Sequence, residues 1–60
     1  MNPQLGQIWY NRLSKCHYLI VETGCQFRVG SIGYAYFILE KGKYDRAFPQ
    51  HFEAQCEFVS

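Results

Sequence analysis

The sequence predicts an all-β fold, a small barrel of about five antiparallel strands with a single 3₁₀ turn before the last strand. Three observations predict this fold. Turn-forming residues break the chain at short intervals, and the runs between them are rich in β-branched and aromatic residues. No 11-residue window shows the apolar stripe of an amphipathic helix. The 60 residues are enough for one domain, residues 1–60, and a chain of this size buries about 60% of its unfolded surface.

The first strand is predicted at residues 7–11. Side chains alternate along a strand, so Ile8 and Tyr10 are predicted to share one face while Trp9 lies on the other. A second strand, at residues 17–22, is apolar on both of its faces. It is therefore predicted to be central in the sheet.

In the middle of the chain, the sequence predicts a short arm at residues 26–29 and the longest strand at residues 32–40. The small residues Gly33 and Ala35 predict a bend in this strand or a close approach of another strand. Lys41-Gly42 then predicts a tight hairpin turn.

The hairpin leads into a strand at residues 43–48, which Pro49 ends because proline has no backbone N–H for the ladder. Residues 50–52 are predicted to form the 3₁₀ turn, and residues 53–59 the last strand. The alternation of the predicted strands places seven side chains in the core: Ile8, Leu19, Val21, Ile38, Ala54, Cys56 and Phe58. Alanine at Leu19 or Phe58 is expected to remove about 2–5 kcal/mol of stability.

Two short segments resemble parts of known small barrels. Phe48-Pro49-Gln50-His51-Phe52 is similar to the Pro-x-x-aromatic turn before the final strand of SH3 domains. Gly6-Gln7-Ile8-Trp9 resembles the Gly-x-hydrophobic-aromatic opening of many short barrels, including small proteins of phages and mobile elements. The resemblance implies an SH3-like barrel. It does not extend to proline-peptide recognition, because the acidic and Trp-rich loops of eukaryotic SH3 domains are missing.

The aromatic content points to a binding surface. Five Phe, five Tyr and one Trp exceed what the core of a 60-residue chain can enclose, so several rings are predicted at the surface. We expect a non-enzymatic protein-interaction module that binds and masks a larger protein, with a homodimer as a further expectation from the near-neutral charge of +1. The residues expected to contact the partner are Trp9, Tyr10, Tyr34, Tyr36, Tyr44 and Phe48.

Nucleic-acid binding is the alternative hypothesis. Lys41, Lys43 and Arg46 cluster around one hairpin beside Tyr44, and single-strand-binding barrels combine a positive groove with stacking rings. Acidic residues interrupt this basic field, and a net charge of +1 lacks the basic excess of a dedicated nucleic-acid binder.

Catalysis, cofactors and metals find little support in the sequence. No phosphate-binding loop, paired-carboxylate motif or nucleophile elbow is present, so no enzymatic activity and no cofactor are predicted. The candidate zinc ligands lack the close pairing of structural zinc sites, and no metal is predicted at Cys16, His17, Cys25, His51 or Cys56. Three cysteines without a disulfide spacing, no secretion signal and no membrane span predict a cytoplasmic protein.

Overall fold

The computed structural model describes residues 2–26 and 31–60, which form one antiparallel sheet and one short helix. The sheet has the strand order β4-β3-β2-β1-β5. This confirms an all-β domain of five antiparallel strands, and it confirms the central position of the second strand. The elements are β1 (Ile8–Asn11), β2 (Cys16–Gln26), β3 (Ile32–Ile38), β4 (Lys43–Ala47), α1 (Pro49–Gln55) and β5 (Cys56–Phe58).

The sheet is not closed into a barrel, which corrects the barrel prediction. β4 and β5 are at the two ends of the strand order, and within the described residues they do not pair with each other. The hairpin turn between β3 and β4 is as predicted. The N–H groups of Lys41 and Gly42 donate to the Ile38 carbonyl, and Gly42 adopts a φ of 64°, which glycine tolerates.

The predicted 3₁₀ turn is wrong, because the segment after β4 forms the α-helix α1. Pro49 lies in its first turn, where the missing proline N–H removes no helical hydrogen bond. The N–H of Phe52 donates to the carbonyl of Phe48 over 3.0 Å, the i→i−4 bond of an α-helix. Pro49 therefore ends β4, as predicted, and also begins a helix.

Because α1 extends to Gln55, the last strand shortens from the predicted residues 53–59 to Cys56–Phe58. Ala54 lies on the helix and is exposed, so its predicted place in the core is wrong. Side chains return to the same face every 2 residues in a strand but every 3.6 residues in a helix, so the predicted alternation does not apply here. Only Phe52 of the helix is buried.

The core lies between one face of the sheet, here called the inner face, and α1. Phe52 is its centre, with ring centroids 5.5 Å from Trp9, 5.3 Å from Tyr34 and 5.7 Å from Tyr36. Tyr18 stacks on Tyr36 at 4.0 Å, and burial raises the pKa of the Tyr36 phenol above its ordinary value. The buried core residues are Trp9, Cys16, Tyr18, Ile20, Tyr36, Ile38, Phe52 and Cys56.

The predicted core agrees with the structure at Ile38 and Cys56 only. The inner and outer faces of β1 and β2 are the reverse of the prediction, because Trp9 pairs with Tyr18 and both rings turn toward α1. A large aromatic ring buries more apolar surface than the aliphatic neighbours do. The remaining predicted core residues are half-buried or exposed: Ile8, Leu19, Val21, Ala54 and Phe58.

A buried polar side chain, Asn11, joins the turn after β1 to the end of α1. Its Oδ1 accepts hydrogen bonds from the N–H groups of Leu13 and Ser14, at 2.8 and 2.9 Å. Its Nδ2 donates to Oε1 of Gln55 over 3.2 Å. One asparagine thereby satisfies two turn donors and connects residues far apart in the sequence.

We expect Asn11→Ala to lower the free energy of unfolding by about 1–3 kcal/mol, because it removes a buried side chain that accepts hydrogen bonds from two turn N–H groups. The measurement is urea unfolding followed by tryptophan fluorescence. Gln55→Ala is the matched control, since it removes only the bond from Asn11 Nδ2 and keeps the turn. A loss for Gln55→Ala that equals the loss for Asn11→Ala would show that the turn bonds contribute nothing.

Candidate interaction surface

The face of the sheet opposite α1, here called the outer face, bears an apolar row that crosses four strands. Ile8 pairs with Leu19, Leu19 with Phe37, and Phe37 with Tyr44. Directly paired residues share a face, so these four side chains, here called the outer row, lie side by side. Three strand spacings make the row about 14 Å long. No helix or strand of residues 2–26 and 31–60 packs on it.

Tyr44 is the most accessible member of the outer row. Its ring is edge-on to Phe37 with centroids 4.9 Å apart, and 72% of the residue is exposed. The other three residues are half-buried. Tyr44 is therefore held in place by a neighbouring ring while most of its surface remains in water.

Polar and charged residues flank the outer row on both sides. On one side Glu22 pairs with Ala35, and Ala35 with Arg46. On the other side Tyr10 pairs with His17, with ring centroids 5.0 Å apart. Both signs of charge thus border an apolar centre, an arrangement typical of protein interfaces.

His17 and Glu40 attach the β3–β4 turn to β2. The His17 ring nitrogen Nδ1 is hydrogen-bonded to Glu40 Oε2, and the His17 backbone N–H donates to Glu40 Oε1 over 2.6 Å. These hydrogen bonds hold the pKa of the Glu40 carboxyl below its usual range. The pair fixes the end of the hairpin that carries Tyr44.

The aromatic residues predicted to bind a partner are divided between the two faces. Tyr10 and Tyr44 lie on the outer face, and Phe48 is at the start of α1, 6.3 Å from the His51 ring. Trp9 and Tyr36 are about 5–6% exposed and belong to the core, so they offer little surface to a partner. Tyr34 is half-buried against Phe52.

Sequence reasoning missed most of the outer face: Ile8, Leu19, Phe37 and Leu39. The available signal was the second strand, which is apolar on both faces, since a strand with one solvated face normally alternates. The prediction used this signal only to place the strand at the centre of the sheet.

The basic residues of the nucleic-acid alternative do not form one patch. Lys43 and Arg46 are three positions apart on β4, so their side chains leave the strand on opposite faces. Arg46 Nη1 lies 4.0 Å from Cys25 Sγ, and its backbone N–H donates to Asp45 Oδ1 over 2.7 Å. Lys41 is exposed in the turn before β4.

The three cysteines are free thiols. Cys16 and Cys56 are buried, and burial raises the pKa of the Cys56 thiol to about 11, so it stays protonated at neutral pH. Across residues 2–26 and 31–60, no three His, Cys, Asp or Glu side chains come together as metal ligands. The described part of the chain forms no pocket. It also holds no helix long and apolar enough to cross a membrane.

Comparisons of the chain with protein-family models, curated proteins and solved structures find no match in any of the three. Function is therefore inferred from the residues of the outer face.

Proposed function

We propose that this chain is a non-enzymatic protein-interaction module that binds a larger protein across its outer face and masks part of its surface. Small regulators of phages and mobile elements, which the opening segment resembles, are the class of protein proposed. The observation that carries the proposal is the outer row, an apolar line across four strands with a largely exposed tyrosine at its end.

The composition of β2 supports this proposal. Leu19 lies between Tyr18 and Ile20, which are both buried on the inner face. A sheet with one face in water normally alternates apolar with polar residues, whereas a sheet covered on both faces does not. An apolar residue at Leu19 fits a strand whose outer face is covered in the working state of the protein.

The chemistry of the row favours protein over nucleic acid. Burial of apolar surface contributes about 25 cal/mol per Å², and tyrosine suits a surface that is wet when free and dry when bound. Glu22 and Glu57 border the outer face and interrupt the continuous positive field with which proteins bind a phosphate backbone.

The test uses a partner captured from the native host, identified by mass spectrometry and titrated at low and high salt. Tyr44→Ala is expected to weaken binding by about 30-fold, since an aromatic anchor contributes about 2 kcal/mol or more. Lys43→Ala is the matched control, because Lys43 directly precedes Tyr44 on the same strand and lies on the other face. It is expected to change affinity only a few-fold.

A different result would favour the nucleic-acid alternative. If Lys41→Glu with Lys43→Glu abolishes binding, affinity falls steeply with salt and Tyr44→Ala has no effect, then phosphate contacts carry the binding. Trp9→Ala is unsuited to this experiment, because Trp9 is buried beside Phe52 and its loss would disturb the fold.

A further inference from the structure

We infer that, in the free protein, the outer face is covered by a second copy of this chain, which the larger partner displaces. This inference rests on the proposed function, since it assigns the same face to both occupants. It makes self-association a form of regulation, in which dimer formation competes with partner binding.

The outer row is complementary to itself when a twofold axis runs along the strands between β2 and β3. Such an axis places Tyr44 over Ile8 of the second copy, and Phe37 over Leu19 of the second copy. Both contacts occur twice, as in any isologous interface. An aromatic ring meets a smaller aliphatic side chain at each position, the alternation of sizes that lets two sheet faces interdigitate.

This axis does not place Glu22 against another acidic residue. Glu22 falls opposite the second copy's Ala35 position, because Glu22 and Ala35 are paired on the two strands that flank the axis. An axis along the row would instead bring Glu22 against the hydrogen-bonded His17–Glu40 pair of the other copy. With a net charge of +1, two copies also repel each other little.

The size of the molecule fits a weak, reversible dimer. Its two longest extents are 30 and 23 Å, so no flat face of the molecule exceeds about 700 Å², which is less than the about 800 Å² per partner of a standard interface. An interface at the small end of the range is one that a tighter-binding partner can displace.

Sedimentation velocity of the purified chain, from micromolar to millimolar concentration, tests the inference. The mass is expected to rise with concentration toward twice 7.1 kDa. Tyr44→Ala is expected to weaken the dimer by about tenfold or more, and Lys43→Ala to leave it nearly unchanged. Circular dichroism confirms that each variant is folded.

A complementary pair of variants tests the axis itself. Tyr44→Lys and Ile8→Glu should each weaken self-association, and an equimolar mixture should form a heterodimer, because each changed residue faces the other. Failure of the mixture to associate, with both variants folded, would overturn the proposed axis. If Ile8→Glu does not fold, Tyr44→Lys still reports on the face.

Two results would overturn the inference without contradicting the proposed function. A wild-type chain that stays monomeric at every concentration, while Tyr44→Ala still weakens the captured partner, removes the dimer and keeps the interaction module. A dimer that Tyr44→Ala does not weaken uses another surface. Loss of both dimer and partner binding in Tyr44→Ala supports both proposals.

Discussion

Phe52→Ala is expected to remove a large part of the free energy of unfolding and to lower the melting temperature steeply. Phe52 is 2% exposed, and its ring contacts the rings of Trp9, Tyr34 and Tyr36. Removing a buried phenylalanine ring costs about 3–5 kcal/mol. At about 0.05–0.15 kcal/mol per residue, a 60-residue domain has only about 3–9 kcal/mol to lose.

Thermal unfolding followed by circular dichroism and Trp9 fluorescence measures this effect. Phe58→Ala is the matched control, because Phe58 also contacts Trp9, at 5.6 Å, but is 42% exposed. Its expected loss is about 1 kcal/mol, less than the loss predicted from the sequence for a buried Phe58. If Phe52→Ala melts like the wild type, α1 does not contribute the central ring of the core.

Ile20→Ala is expected to lower the free energy of unfolding by about 2–5 kcal/mol, and Val21→Ala by less than about 1 kcal/mol. The two residues are neighbours on β2, yet Ile20 is 1% exposed and Val21 is 41% exposed. Urea unfolding of both variants measures the difference under the same conditions. The reverse order of stability would mean that β2 turns the face with Leu19 and Val21 toward the core, as the sequence alone predicts.

Expectations based on short-range chemistry agree with the structure. Turn residues separate the strands except at Thr23-Gly24, where β2 continues to Gln26 instead of ending at the predicted residue 22. Lys41-Gly42 makes the predicted hairpin because glycine tolerates the positive φ of 64° that the turn requires. Exposed rings were predicted from composition, and Tyr44, Phe48 and Phe58 are exposed. The predicted arm at residues 26–29 falls mostly on residues 27–30, which lie outside the described residues.

The candidate site was predicted only in part, because its residues depend on which face of each strand is buried. Tyr10 and Tyr44 were predicted and lie on the outer face, while Trp9 and Tyr36 were predicted and are core residues. Exposure differs between neighbouring tyrosines only through what packs on them. The number of aromatic residues therefore predicts that some rings are exposed, but it does not predict which rings these are.

By itself, the sequence determined the strand-rich fold, the central place of β2 and the excess of aromatic rings, because turn chemistry and composition are properties of the residues themselves. The tertiary structure decided the rest. Residues 53–55 were predicted as strand from their alternation, whereas the structure places them in the helix, where Glu, Ala and Gln are all favoured. The burial of Phe52 among Trp9, Tyr18 and Tyr36 accompanies the helix. A strand that is apolar on both sides, such as β2, carries no local information about its inner face. The packing of α1 determines which face of β2 is buried, because the rings that pack around Phe52 lie on the inner face and Leu19 lies on the outer face.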